Sequence, residues 1–403
     1  AKNYFDSYFN AIDEVGKINS NKNLSNGVSI KISALHPRYE MRKIDEVESA
    51  LIPKLIELVS YAYSKDVEIT IDAEEQDRLS LSLHIIEKIA FEKKIKDWPG
   101  FGIALQAYGK RSFDVINWLN NQLSKRAGMH LRLVKGAYWD YEIKHAQVYG
   151  YPGYSVFSKK SITDIAYLAC AKKILENKNI YPKFATHNAH TISSINYLGQ
   201  DCEYEFQRLF GMGELLYKSA SSILKLQKSP SVYAPIGNYK DLLPYLVRRL
   251  LENGANSSFI NRLLDPKTDS GWLAQNPIIR MKNEKKEIPL PKNIFKKRLN
   301  SSGMDISEKQ NLDDLSKKLK NFEGKEVHAV SIYTNRKNLN KKQVKVTSIS
   351  SDIKIGTVQY DDPSEIKNSL EKNNSDEWLK IDVIKRSEIL NSIANAIEKD
   401  PHE

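Results

Sequence analysis

Short apolar, β-branched segments recur along the first two thirds of the chain, and helical patterns fill the stretches between them. The strand-like segments are GVSIKISAL (27–35), EITIDAE (68–74), FGIALQAY (101–108), MHLRLVKGAY (129–138), KFATHN (183–188), YEFQRLFG (204–211) and SVYAPIG (231–237). Between them, IDEVESALIPKLIELVSYAYSK, DRLSLSLHIIEKIAFE, SFDVINWLNNQLSK, SITDIAYLACAKKILE, a shorter stretch after His187, and GELLYKSASSILK carry apolar residues at helical spacing. DLLPYLVRRLLEN follows the last strand, and Gly254 closes it as a C-cap. Strands alternating with long helical crossovers predict a parallel sheet. A doubly wound sheet or an eight-stranded (β/α) barrel lacking one strand both fit seven such units.

The start of the chain favours the barrel. KNYFDSYFNAIDEVGK is an amphipathic helix ahead of the first strand segment, and in a (β/α) barrel such a helix follows a strand. The expected fold is therefore an α/β (β/α)8 TIM-type barrel lacking its first strand, over residues 1–270. After Asn256 the pattern changes, because NPIIRMKNEKKEIPLPKNIFKKR is polar, basic and proline-punctuated. It reads as a linker or extended arm rather than a helix, and the arm is expected over 271–340. From Lys341, KKQVKVTSIS and IGTVQY read as strands, and two helical segments with capping residues follow them. Residues 341–403 thus read as the incomplete opening of a further domain.

Composition narrows the function classes. The chain has 403 residues, 41% hydrophobic and 28% charged, which is ordinary for a globular protein. No apolar run approaches the ~20 residues of a membrane-spanning helix, and the N-terminus lacks the order of a signal peptide. Cys170 and Cys202 have neither disulfide-framework nor zinc-finger spacing, so a cytoplasmic location is expected, or a peripheral one on the inner face of the cell membrane. The formal charge of +11 permits binding to an anionic membrane surface, nucleic acid or a phosphorylated cofactor; part of it is local, with eight basic residues against Glu284 and Glu287 between Arg280 and Arg298.

Barrel active sites gather at the C-terminal ends of the strands. Here those ends carry Lys31 and Ser33, then Asp72, Glu74 and Glu75, then Gln106 and Tyr108. Arg132, Lys135, Tyr138 and Trp139 follow, then Thr186, His187 and Asn188, the GMGE turn at 211–214, and Tyr233. Each alone has a bland explanation as a helix cap or a rim charge; their recurrence on strand after strand points to a site. On the last helix, Tyr245, Arg248, Arg249 and Glu252 fall within two turns, and guanidinium is the side chain suited to a bidentate grip on carboxylate or phosphate. An exposed, charged helix face is the competing reading of that motif. DAEE (72–75) and HNAH (187–190) supply metal-ligand types but no spacing that fixes coordination. Aromatic Tyr138 and Trp139 beside Arg132 and Lys135 instead suit a flat ring system with a pyrophosphate tail, such as a flavin.

Six segments carry a resemblance: VSIKISALHPRYE, ITIDAEEQDRL, RLVKGAYWDYEIKHAQV, YPKFATHNAHT, YEFQRLFGMGE and YAPIGNYKDLLPYLVRRLLENGANSSF. In this order they resemble the strand-end motifs of the proline dehydrogenase barrel in the bacterial bifunctional proline utilization A flavoproteins, from about residue 4 to 265. The rest resembles that family's interdomain arm and the first part of its aldehyde-dehydrogenase-like domain, most clearly in IPLPKNIFKKRLNSSGMDIS.

The resemblance implies FAD-dependent oxidation of L-proline to pyrroline-5-carboxylate by hydride transfer to flavin N5, the first step of proline catabolism to glutamate, with a membrane quinone as the acceptor. It implies that Gln106, Arg132, Val134, Lys135 and Gly136 hold FAD together with Trp139, Thr186, His187 and Glu252, and that Arg132 lies near N5. Lys31, Arg248 and Arg249 would pair with the substrate carboxylate. Asp72, Tyr138, Leu209, Tyr233 and Tyr245 would shape the pocket over its ring. NAD would belong to the absent remainder of the second domain, as would that domain's nucleophilic cysteine. Tyr141, His145 and Leu215 depart from the family pattern where Ser, Arg and Pro are expected. Partners expected besides proline and quinone are a second copy of the chain and an upstream or downstream chain completing the enzyme; no nucleic acid is expected for this segment. The alternatives are a metal-dependent barrel lyase or isomerase, and a truncated, non-catalytic remnant of the bifunctional enzyme.

Overall fold

The computed structural model describes residues 1–22, 25–123, 126–254, 271, 274–284, 287–321, 324–330, 342–372 and 376–399. They fall into two compact units, 1–300 with 304–309, and 301–303 with 310–403.

In the first unit seven strands form one sheet in sequence order, every adjacent pair parallel: β1 (Gly27–Ile30), β2 (Glu68–Ile71), β3 (Phe101–Gln106), β4 (Met129–Val134), β5 (Ile180–Ala185), β6 (Glu205–Leu209) and β7 (Ser231–Tyr233). All seven expected strands are present. Each ends earlier than the sequence pattern suggested, its tail running on into the loop beyond: after β1 the chain turns into a 3-10 turn, Ile32–Leu35. Those tails are the loops that carry the candidate site.

Helices α1 (Lys2–Lys22), α2 (Ile44–Ser64), α3 (Leu79–Ala90) and α4 (Ser112–Leu123) lie between the early strands or ahead of them. The β4-to-β5 crossover holds two helices, α5 (Trp139–Val148) and α6 (Lys160–Leu175), where the pattern predicted one. Helices α7 (Ala189–Leu198), α8 (Glu214–Leu224) and α9 (Tyr239–Gly254) complete the series. Outward-facing Leu131, Leu133, Phe184 and Phe206 are almost wholly buried. The fully buried Tyr167 of α6 donates its hydroxyl to the Leu133 carbonyl at 3.0 Å, satisfying the polar atom of a core aromatic.

The opposite face is polar, and its contacts reveal the curvature. Arg132 on β4 reaches Ser29 on β1 (2.9 Å), and Lys183 on β5 reaches Glu68 on β2 (2.5 Å). In a flat sheet, strands three places apart lie roughly 14 Å from each other. These bonds therefore require a sheet curled into a half-barrel with its polar face inside, the α/β architecture expected for a barrel short of a strand.

A further expectation fails. Residues 277–283, read as non-helical arm, form a helix, Pro277–Asn283, and a 3-10 turn follows at Pro291–Asn293. The Asn276 side chain accepts from the Ile278 backbone N–H at 2.9 Å and Pro277 stands at the first turn, so a good N-terminal cap overrides an unpromising basic composition. The second unit contains a three-stranded sheet of β8 (Val327–Ala329), β9 (Gln343–Thr347) and β10 (Lys354–Gln359), ordered β8-β10-β9, with β8 parallel and β9 antiparallel to β10. Helices Pro363–Lys372, Asp376–Lys380 and Val383–Lys399 follow it.

Candidate active site

The C-terminal ends of the strands bring most of the expected residues together. Lys31 leaves β1 and donates from Nζ to the Tyr138 hydroxyl at 3.2 Å. Burial works against its charge, but Tyr138, Asp72 and Glu74 outweigh it and hold the ammonium above its ordinary range. Asp72, just past β2, accepts from Arg132 Nη1 at 3.0 Å. Its burial raises its carboxyl despite the opposing pull of Arg132 and Lys31. Glu74 is buried, accepts from the Ser33 backbone N–H at 3.1 Å and pairs with Arg78 at 2.9 Å.

Gln106, at the end of β3, is locked at both ends of its amide. Its Nε2 donates to the Glu74 carbonyl (2.7 Å) and its Oε1 accepts from the Ala137 N–H (3.2 Å). Arg132 spans the interior of the half-barrel. Its Nε donates to Gln207 Oε1 at 2.7 Å, its Nη1 serves Ser29 and Asp72, and its guanidinium stands 5.3 Å from the Tyr233 ring centroid. Ser29 and Gln207 were not singled out in the sequence. Their only signal is a polar residue at an inward position of a short strand.

Val134 closes β4, and Lys135 beyond it is ion-paired with buried Asp164 of α6, which also meets Arg280 at 3.5 Å. Gly136 adopts φ +140°, and a Cβ there would stand 2.4 Å from the Tyr108 ring, so the backbone at this turn lies against a buried aromatic as only glycine allows. Trp139 donates its indole N–H to the Phe157 carbonyl at 2.8 Å and packs on the cluster of Tyr108, Ile143, Ala146, Tyr154 and Val156.

After β5, Thr186 is buried and its hydroxyl accepts from the Asn188 N–H at 3.2 Å. His187 Nε2 accepts the Leu209 backbone N–H at 3.2 Å, which makes Nδ1 the protonated nitrogen of a neutral ring. Burial, then the charges of Arg249 and Arg208, push its pKa down to about 4. Leu209 is buried at the end of β6. Tyr233 ends β7, and burial pushes its hydroxyl up to about 12 although Arg132 and Arg249 pull the other way. On α9, the Arg249 guanidinium lies 5.5 Å from the Tyr245 ring centroid. The side chains of Arg248 and Glu252 lie outside the described residues.

The arrangement is a concave, partly buried face with cations at Lys31, Arg132 and Arg249 and a neutral imidazole. Such a face can orient an anion and a flat polar ring system. Among the described residues no group of three or more His, Cys, Asp or Glu is arranged to hold a metal ion, and no helix is long and apolar enough to cross a membrane.

Comparison with known proteins places residues 1–262 in the family described as proline dehydrogenase. The bifunctional protein PutA of Escherichia coli (strain K12) is 39% identical over 422 aligned residues, covering 99% of this chain and 32% of the relative. PutA of Salmonella typhimurium is 44% identical over 341 residues, covering 79% of this chain and 26% of the relative. The chain thus spans about a third or less of the length of these curated relatives. A solved structure of a proline utilization A variant from Bradyrhizobium japonicum superposes with a TM-score of 0.75 at 41% identity, covering 81% of this chain and 34% of that one. Proline utilization A from Bdellovibrio bacteriovorus, inactivated by N-propargylglycine, shares the fold over 100% of this chain and 44% of its own, with a TM-score of 0.83 at 24% identity.

Proposed function

The chain belongs to the proline dehydrogenase family, and from that premise we propose that its half-barrel is the catalytic part of an enzyme oxidising L-proline to pyrroline-5-carboxylate with FAD. When bound, FAD supplies the acceptor, at N5, for the hydride leaving the carbon beside the ring nitrogen of proline. The residues present fit that group: Arg132 stands on β4 and neutral His187 just past neighbouring β5, Gly136 at φ +140° lets the backbone of the turn approach closely, and Trp139 adds an aromatic wall.

Gln106, Arg132, Val134, Lys135 and Gly136 would hold FAD with Trp139, Thr186, His187 and Glu252. Locked Gln106 and neutral His187 offer hydrogen bonds that need no proton change near neutral pH. Lys31, Arg248 and Arg249 would grip the proline carboxylate, and Asp72, Tyr138, Leu209, Tyr233 and Tyr245 would enclose its ring and exclude water. Their work is orientation, because the redox chemistry belongs to the cofactor. A membrane quinone would take the electrons onward. Residues 1–270 would be the barrel, 271–340 an interdomain arm and 341–403 the opening of an aldehyde-dehydrogenase-like domain.

The observation that carries this reading is Arg132: a buried guanidinium held at the centre of the polar face by side chains from β1, β6 and the loop after β2. The test is anaerobic addition of L-proline to the FAD-loaded protein while the flavin absorbance is followed. Bleaching by L-proline and not by D-proline is the expected result; an unchanged spectrum overturns the reading.

A further inference from the structure

The polar face continues beneath Arg132. Gln207, 5% exposed, accepts from Arg132 Nε and donates its own amide N–H to Glu205 Oε1 at 2.6 Å. Glu205 Oε1 lies 3.7 Å from the Nζ of Lys183, itself 5% exposed and paired with Glu68 at 2.5 Å. The order of these contacts matters. A carboxylate only accepts, so Glu205 takes the NH2 end of the Gln207 amide and leaves its oxygen for Arg132. Lys183 of β5 thus ties Glu205 of β6 to Glu68 of β2, which makes the floor of the half-barrel the origin of the amide's orientation. Ser29 completes the hold from β1 at 2.9 Å. With Nε and Nη1 engaged, Nη2 is the Arg132 nitrogen that makes no hydrogen bond among the described residues.

Building on the reading of Arg132 as a flavin contact, we infer that Gln207 and Ser29 are positioning residues for Arg132: they fix its guanidinium from below so that Nη2 is the donor left for the ligand, and Glu205 with Lys183 sets the Gln207 amide. An arginine side chain has several rotatable bonds, and a neutral amide fixes it without cancelling its charge, as a second carboxylate would. Asp72 alone makes one contact and leaves the plane of the guanidinium free to turn.

The experiment compares FAD-loaded parent with Gln207→Met, Ser29→Ala, Arg132→Lys and both double variants. It measures FAD affinity by fluorescence titration, flavin bleaching at saturating proline and proline half-saturation. Gln207→Met is expected to slow bleaching roughly 10- to 100-fold and to weaken FAD binding, while half-saturation moves less than about twofold. Added to Arg132→Lys, it should cost less than about twofold more, because a residue acting through Arg132 has nothing left to position. Ser29→Ala should follow the same pattern with a smaller loss, roughly 3- to 10-fold, and carries the test if Gln207→Met does not fold. Losses that add in the double variants, or parental affinity and rate in Gln207→Met, overturn the inference. Parental behaviour of Arg132→Lys would instead overturn the flavin reading, and this inference with it.

Discussion

The Lys31 ammonium donates to the Tyr138 hydroxyl at 3.2 Å, joining the end of β1 to the turn after β4 across 107 residues of sequence. The two side chains also stand in cation–π distance, 5.9 Å from Nζ to the ring centroid. Tyr138 thereby holds a charge that burial opposes, at a place where a carboxylate is expected to arrive.

Lys31→Met should raise proline half-saturation roughly 10- to 100-fold, the worth of a hydrogen bond to a charged group. Tyr138→Phe keeps the ring and removes only the hydroxyl, so roughly 2- to 10-fold is expected. Steady-state reduction of a dye acceptor by proline measures both. Equal effects, or none, would separate this pair from the substrate.

Gly136 offers a test of the turn itself. Alanine there meets a backbone at φ +140° and the ring of Tyr108, which is 2% exposed. The backbone alone should cost at least about 1–2 kcal/mol, and moving a buried ring adds to it. Denaturant melts with and without FAD should show the loss, larger with FAD because the turn would also lose its approach to the cofactor. A change below about 0.5 kcal/mol would mean that the turn relaxes freely.

Glu142 on α5 provides a pH dependence. It is 4% exposed, accepts from the Gln76 N–H at 2.8 Å and is reached by the Ser155 hydroxyl at 3.4 Å. Burial, aided by Asp77 and Glu75 and opposed by the Gln76 bond, pushes its pKa up from 4.5 to about 7. The folded state therefore holds this proton more tightly than the unfolded chain, so the stabilisation is complete below about pH 4.5 and is lost as pH rises towards 7. By linkage the span is on the order of 3 kcal/mol. Glu142→Gln should flatten that part of the stability profile. An unchanged profile would show that Glu142 ionises in the fold as it does in water.

How much of this was legible in the sequence follows from what each residue faces. Seven strands were readable because their outward positions, such as Leu131, Leu133 and Phe206, pack under helices and must be apolar. Lys31, Asp72, Gln106 and Arg132 were readable because polar residues recurred at strand ends. Ser29, Gln207, Glu205 and Lys183 were not, since an inward polar residue on a four- to six-residue strand looks like an exposed one until the sheet curls. Helix α5 was hidden for another reason: WDYEIKHAQV directly follows a β-like run, and the boundary set by Gly136 and Tyr138 depends on backbone angles rather than on hydropathy. At Pro277–Asn283 a basic composition masked a sound cap.

The last prediction concerns Arg249. On α9, neighbouring residues splay by about 100°, so Arg248 and Arg249 are not a simple surface pair and would reach a common ligand from different directions. Arg249 is the one whose side chain is described: it lies over Tyr245 and contributes to the electrostatics of both His187 and Tyr233. If it grips the substrate carboxylate, Arg249→Met should raise proline half-saturation roughly 30- to 1000-fold, and Arg249→Lys should recover only part, because the planar fork is lost. A second readout needs no substrate. Arg249 ranks behind burial among the causes that depress His187, so its removal should raise the His187 pKa above about 4 while burial keeps it below the ordinary 6.5. An NMR titration of His187 in parent and Arg249→Met measures this directly. A raised His187 pKa with unchanged half-saturation would leave Arg249 at the mouth of the half-barrel but take it out of the substrate grip; no change in either would put it on a solvated helix face.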